Sequence, residues 1–312
     1  MNTHIAVDIG GTQLRAACYQ PGSHTPIQIA RTSTQGGGED PVERLMRLIA
    51  SIWPSTGRVA AIGAAAPGPL DPYRGILISA PNIPGWENLP LRELLEDRFG
   101  VPVALGNDAN LAALGEWKVG AGQGHHHMLY LTVSTGIGGG VIVDDRLLLG
   151  QRGMAGELGH TSVMVDGPLC GCGQRGHLET VASGTAIARW VREQLDQGVP
   201  SSLPADQPVT ARLVSQAAQQ GDPLAIAALG RAGRFLGRAV ADFLHIFNPS
   251  AVIIGGGVSR SGPFLFEPLC AAIREYAMSP HYYLDLELKT AALGDEAGLM
   301  GALTLARALR PE

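Results

Sequence analysis

The chain has 312 residues, with 23 Lys and Arg against 28 Asp and Glu for a formal net charge of -5. That acidic balance, without a long basic run, argues against nucleic acid as a partner, and no apolar stretch reaches the ~18 residues that a membrane span needs. A hydrophobic content of 45% and a length suited to more than one domain of roughly 100–200 residues point to a globular protein of about two lobes.

The N-terminus opens on the apolar strand Ile5-Ala6-Val7, without the charged-then-apolar pattern of a signal peptide. A cytoplasmic location is therefore expected, where structural disulfides are rare. Strands are predicted at Ile5–Val7, Leu14–Cys18 and Ile27–Arg31, followed by a helix in which Val42, Leu45, Met46, Ile49 and Ile52 share one face. Val59–Ala65 reads as a buried strand. Residues 67–90 are rich in Pro and Gly and read as a long ordered loop around Trp86. A helix over Leu91–Phe99 and a strand over Val101–Leu105 follow.

The pattern then restarts with a strand at Met128–Val133, a Ser/Thr/Gly turn and a returning strand at Val141–Val143. This echoes the opening strand–turn–strand unit and suggests a duplicated lobe. Helices are predicted over Gly184–Leu195, Thr210–Gln220 and Pro223–Phe247, then a strand at Ala251–Ile254 ending in Gly255-Gly256-Gly257. A helix at Phe264–Tyr276, a strand at Leu284–Leu288 and a last helix at Glu296–Leu309 complete the chain. His125-His126-His127 reads as an exposed loop, and Cys18 and Cys270 as small buried apolar residues.

Two turns carry the phosphate chemistry. Asp8-Ile9-Gly10-Gly11-Thr12 joins two strands, and glycine there lets backbone N–H groups converge on an anion. Thr12 adds a hydroxyl, and Asp8 is suited to holding Mg²⁺ or its waters. The second turn, Thr135–Gly140 with Gly136 and Gly138, supplies the same kind of donors. Either turn alone is equally well a tight hairpin; together they suit a nucleoside triphosphate. No G-x-x-x-x-G-K-[ST] run is present, and the glycines return into a strand instead of opening a helix, which excludes a dinucleotide fingerprint.

Transfer to a hydroxyl needs a group to orient it and accept its proton. Asp108, in Asn107-Asp108-Ala109-Asn110, is the candidate base, although an Asp just before a helix is also commonly a cap. His160, Cys170, Cys172 and His177 form H-x9-C-x-C-x4-H, four ligands within 18 positions that suit tetrahedral Zn²⁺. A reduced, metal-free turn is the alternative.

Asp8–Thr12, Ala64–Gly68, Asn107–Asn110, Ser134–Val141, Gly156–His160, Cys170–Glu179 and Gly255–Gly257, taken in order, resemble the ROK group of repressors and sugar kinases over nearly the whole chain. The resemblance implies a two-lobed actin-like, ribonuclease-H-like α/β fold, with ATP and a sugar in the interlobe cleft and a structural zinc nearby. It divides the chain into an N-terminal lobe over 1–107, completed by the C-terminal helix at 296–312, and a C-terminal lobe over 108–295 that carries the zinc. It places the base at Asp108 and the sugar contacts at Gly68, Asn82, Asn107, Glu157, His160 and Glu179. ATP with Mg²⁺ falls to Asp8, Gly10, Gly11, Thr12, Thr135, Gly136, Gly138, Gly256 and Gly257. Without the family pattern, Glu157 and Glu179 read equally as surface carboxylates and Asn82 as a turn residue.

Family repressors carry an N-terminal DNA-binding segment, whereas this chain begins at the first strand, so it resembles the kinase branch. Residues 81–86, Pro-Asn-Ile-Pro-Gly-Trp, are similar to those of family glucokinases, which implies phosphorylation of glucose at its 6-hydroxyl. N-acetylmannosamine, N-acetylglucosamine and fructose are the alternative acceptors, and a non-catalytic sugar-sensing regulator is the alternative class. The sequence departs from the family at His177, where cysteine is usual, and at Gln13, where lysine is common. The second departure leaves phosphate binding to N–H groups and Mg²⁺ and makes polyphosphate a donor to test beside ATP. The resemblance also implies a homodimer. All of this requires Asp108 and the two glycine turns to address one shared crevice.

Overall fold

The computed structural model describes residues 2–36, 38, 40–80, 82–204 and 207–310. They divide into two compact units. One comprises the described residues of 1–124, 147–156 and 292–312, the other those of 125–146 and 157–291.

The first unit is built on β1 (Asn2–Ile9), β2 (Gln13–Tyr19), β3 (Pro26–Ser33), α1 (Pro41–Ser51) and β4 (Arg58–Ala66). Beyond them lie β5 (Leu70–Asp71), β6 (Ile76–Ser79), β7 (Glu87–Leu89), α2 (Leu91–Phe99), β8 (Val103–Asn107) and α3 (Asp108–Val119). The main sheet runs β3-β2-β1-β4-β8, antiparallel across β3, β2 and β1 and parallel across β1, β4 and β8. Strands β1, β2 and β4 are mostly buried apolar residues, such as Ile5, Val7, Leu14 and Ile62, while the edge strand β3 is largely exposed, with Ile29 54% exposed. Helix α1 starts where Asp40 accepts from the Val42 N–H at 2.6 Å, with Pro41 in the first turn where its missing N–H costs nothing.

The 67–90 segment is more regular than its composition suggests. β5, β6 and β7 form a small antiparallel sheet, and Trp86, 2% exposed, packs in the core with Leu70, Leu77 and Ile83. Strands this short cannot display an alternating pattern, so the sequence shows only their turns. The strand predicted at Val101–Leu105 lies two residues later, at β8, because its ladder with β4 runs to Asn107.

The second unit contains β9 (Met128–Val133), β10 (Ile137–Val143), β11 (Arg146–Leu147), α4 (Glu179–Ala182), α5 (Gly184–Asp196), α6 (Ala211–Gln219), α7 (Pro223–Phe247), β12 (Ala251–Gly255), α8 (Pro263–Tyr276) and β13 (Glu287–Thr290). Its sheet order, β11-β10-β9-β12-β13, repeats the plan of the first: an antiparallel hairpin, then two parallel additions. Helices α7 and α8 cross closely, since a Cβ on Gly233 or Gly237 would lie 2.4 or 2.3 Å from the carbonyls of Leu265 and Leu269. The strand predicted at Leu284–Leu288 starts later, at Glu287. Leu284 is 70% exposed, so the alternation there marks no buried face.

The last helix, α9 (Ala297–Leu309), belongs to the first unit. It presses on β4, where a Cβ on Gly63 would lie 1.9 Å from the Ala302 carbonyl. It presses equally on α3, where one on Gly301 would lie 1.8 Å from that of Leu111. Residues 311 and 312 of the predicted terminal segment lie outside the described residues. Among the described residues no helix is long and apolar enough to cross a membrane.

Candidate functional site

In the first unit the parallel strands β1, β4 and β8 end level with one another: Asp8 faces Ala65, and Ala66 faces Asn107. The Gly10–Thr12 turn, Gly68 and Asn107-Asp108 all leave the sheet at this carboxyl edge, where open α/β sheets collect their ligands. The turn is closed by the Gly10 N–H on the Gln13 carbonyl at 2.9 Å. The Thr34 hydroxyl braces it by donating to the Gly10 carbonyl at 2.6 Å.

Glycine at position 11 has a tertiary reason: a Cβ there would lie 2.7 Å from the Asn82 Cβ, so Asn82 is laid against the turn. The Gln35 amide donates to the Asn82 carbonyl at 2.8 Å and holds it there. Pro81, which precedes Asn82 in the 81–86 segment, lies outside the described residues.

Gly68 stands against Asn107, since a Cβ on it would lie 2.9 Å from the Asn107 Nδ2. Asn107 is the N-cap of α3, its Oδ1 accepting from the N–H groups of Ala109 at 3.0 Å and Asn110 at 3.1 Å. The capping role that the sequence left open at Asp108 therefore falls mainly to its neighbour. Asp108 is the first helical residue, exposed, with its Oδ1 accepting from the Ala109 N–H at 2.7 Å. Asn110 is 3% exposed and donates through Nδ2 to the Ala155 carbonyl at 3.1 Å.

Asp8 has a partner that the sequence reading missed. Arg15, its cross-strand neighbour, donates Nε to Asp8 Oδ2 at 3.0 Å and pairs with it again through Nη2. The same guanidinium reaches the Asp295 carbonyl and comes within 3.5 Å of Glu296. A cation thus stands two residues beyond Gln13. Asp8 Oδ2 is committed to it, which leaves Oδ1 as the other carboxylate oxygen.

In the second unit β9 and β12 end together, with Gly255 facing Thr132. The turn between β9 and β10 is shorter than predicted. Ser134 N–H donates to the Gly136 carbonyl at 2.9 Å, and Gly138 is already paired with Thr132 inside the ladder. Gly256, at φ 81°, packs on this turn, where a Cβ would lie 2.3 Å from the Val133 carbonyl.

The N-terminus of α5 docks on the same turn. Gly184 N–H donates to the Ser134 carbonyl at 2.7 Å, and the Thr185 hydroxyl donates to that of Thr135. Beside the turn opens a cavity of about 700 Å³, lined among others by Thr135, Gly184, Thr185, Arg212, Gly257 and Arg260. Thr135 and Gly257 were legible as motif residues. Thr185, Arg212 and Arg260 come from helices and a turn without any local signature.

The metal candidates converge. One ligand atom from each of His160, Cys170, Cys172 and His177 lies within 4.8 Å of all the others. The two Nδ1 atoms are 3.2 Å apart, Cys170 Sγ is 3.6 Å from His160 Nδ1, and Cys172 Sγ is 3.4 Å from His177 Nδ1. Bonds of about 2.0 Å to nitrogen and about 2.3 Å to sulfur give tetrahedral edges of about 3.3–3.8 Å. The donors fit a structural zinc, with His177 a full ligand in place of the usual cysteine. Burial pushes the Cys170 thiol up from its ordinary value, so a bound cation is what would favour its thiolate.

His160 has Nδ1 in the cluster and Nε2 4.0 Å from Glu157, whose side chain is half exposed. Glu179 Oε2 accepts the Ile137 N–H at 3.0 Å, beneath the glycine turn, and Oε1 lies 3.7 Å from Cys170 Sγ. The His125–His127 tract is a loop, but a tethered one: His125 bonds the Ser250 hydroxyl at 2.8 Å, and His126 pairs with Asp145 at 2.8 Å. Cys18 is enclosed, while Cys270 is only half-buried.

A family model described as ROK family matches residues 4–309. The chain belongs to the ROK family. It is 41% identical over 308 residues to a glucokinase of Thermotoga maritima, covering 96% of both chains. Among solved ROK structures, the hexokinase of Thermus thermophilus superposes with a TM-score of 0.85 at 39% identity, over 98% of each chain. The Streptomyces griseus ROK glucokinase, solved with glucose and AMPPNP, superposes at 0.81 and 36% identity, over 98% of this chain and 100% of that one. The expected ROK fold, mixed α/β with two five-stranded sheets of the actin-like ATPase type, is thus borne out.

Proposed function

We propose that the chain is an ATP-dependent hexose kinase that transfers the γ-phosphoryl group to the 6-hydroxyl of glucose. The observation that carries this reading is the carboxyl edge of the first sheet. An exposed carboxylate, Asp108, stands at the head of α3 beside Asn107 and Gly68, on the same edge as the Gly10–Thr12 turn. The likeness to glucokinases over nearly the full chain supports the choice of acceptor.

In this reading Asp108 orients the sugar hydroxyl and takes its proton as the oxygen attacks phosphorus, while ADP leaves. Asn107, Asn82, the Gly68 backbone, Glu157, His160 and Glu179 are the sugar contacts. The turns at Gly10–Thr12 and Thr135–Gly136, with Gly138, Gly256 and Gly257, bind the phosphates. The 700 Å³ cavity is of a size for the nucleoside. Mg²⁺, held by Asp8 and the phosphates, would supply charge neutralisation on the triphosphate. Zinc at the His/Cys cluster would fix the orientation of His160 and Glu179.

The test is coupled ADP release with glucose, mannose, fructose, N-acetylglucosamine and N-acetylmannosamine, with polyphosphate run as a second donor. Glucose with ATP is expected to give the highest kcat/KM. A higher value for an amino sugar or fructose would reassign the acceptor, and no phosphorylation of any sugar would point to a sugar-sensing regulator. The reading includes a homodimer, which light scattering after size exclusion checks.

A further inference from the structure

One residue is gripped from both sides by the metal loop. Ile137 is the first residue of β10, directly after the Ser134–Gly136 turn. Its N–H donates to Glu179 Oε2 at 3.0 Å, two residues beyond His177. On its other side Gly159, the neighbour of His160, is pressed so close that a Cβ would lie 1.9 Å from the Ile137 carbonyl oxygen. Gly136 is constrained from the same direction, since a Cβ on it would lie 2.2 Å from Glu179 Oε2. The three contacts, made by residues within two positions of two different metal ligands, fall on the adjoining residues Gly136 and Ile137. None touches the rim of the turn that faces solvent.

We propose that the His160/Cys170/Cys172/His177 cluster braces the phosphate turn, with Glu179 as the positioning residue that passes metal occupancy to Ile137 and thence to nucleotide affinity. This rests on the reading of Ser134–Gly136 as a phosphate turn. Its physical basis is pre-organisation. A turn already held in its binding conformation loses less freedom when an anion docks. With the ligands drawn together by a metal, Gly159 and Glu179 are fixed relative to each other and clamp Ile137 between them. Without the metal, the 161–177 segment that joins them loses its tie, and the clamp slackens.

Linkage makes the effect reciprocal: if metal tightens nucleotide binding, nucleotide tightens metal retention by the same factor.

The test compares zinc-loaded protein, chelator-stripped protein and the Glu179→Gln variant. Calorimetry measures MgAMPPNP binding, and hydrogen exchange is followed over residues 134–140 with β12 as the internal control. Stripping is expected to weaken AMPPNP binding by about 5-fold or more, the lower end of site-to-site coupling, and to speed exchange at 134–140 while β12 stays protected. In Glu179→Gln the link is already weakened, so stripping should change AMPPNP affinity much less. A chelator titration should show AMPPNP slowing zinc loss from the wild type.

Should stripping unfold the chain, Gly136→Ala with zinc retained tests the same link: its Cβ displaces the carboxylate, and adding Glu179→Ala should relieve that effect. Unchanged AMPPNP affinity and unchanged exchange at 134–140 on stripping, or an equal effect of stripping in wild type and Glu179→Gln, would overturn the proposal. If AMPPNP binds to no form, the nucleotide reading fails by itself, and exchange at 134–140 still decides whether the cluster braces the turn.

Discussion

At the scale of single residues, neighbours divide their work in ways that residue type alone does not reveal. Asn107 and Asp108 are both good helix caps, yet the structure gives the cap chiefly to Asn107 and leaves Asp108 exposed at the first helical position. If Asp108 is the base, Asp108→Ala should lower kcat by about 10²-fold or more with a much smaller change in sugar KM. Steady-state kinetics with glucose as the varied substrate checks this, and a near-normal kcat would remove Asp108 from the chemistry. Arg15 is a second case. The sequence offers only an arginine on a strand, and it is strand register that delivers it to Asp8. Glu179 is a third: its carboxylate is committed through one oxygen to a backbone N–H forty-two residues away.

At the scale of elements, the longest helix is held at its start by a buried side chain. Asp222 caps the 25-residue α7, its carboxylate accepting from the N–H groups of Ala225 and Ser202 and the hydroxyls of Ser201 and Ser202. Burial pushes this carboxyl up, but the hydrogen bonds outweigh it and hold the group down at about 2. A folded value below the unfolded one, about 3.9, means that the ionised form is favoured by folding. The resulting stability, about 2 kcal/mol, is present above pH ~4 and lost as the pH falls toward 2. Asp222→Asn keeps a capping oxygen and should flatten the acid limb of the stability curve, whereas Asp222→Ala should also cost about 1 kcal/mol at neutral pH through loss of the cap. Urea unfolding at pH 3, 5 and 7 separates the two.

At the scale of the whole molecule, the chain repeats one plan: each unit has a mixed sheet with an antiparallel hairpin whose turn leads into parallel neighbours. The loop that carries the His/Cys cluster is an insertion on the second copy, between β11 and α4. A structural metal there should appear as one zinc per chain by elemental analysis and be missing from Cys172→Ser. Its removal should lower Tm by about 2–3 °C or more, as the loss of one or two kcal/mol does in a chain of this size. Full zinc content in Cys172→Ser, or an unchanged Tm on chelation, would count against the site.

The sequence by itself determined the α/β plan, the two hairpin turns, the His/Cys cluster and the Asn107-Asp108 helix start. Each is written in contiguous residues whose spacing or chemistry is local. Tertiary structure alone decided that Arg15 meets Asp8, that Thr185, Arg212 and Arg260 share a cavity with Thr135, and that Glu179 reaches Ile137. Those contacts depend on strand register and on where helices dock, and neither leaves a mark in any single stretch of residues.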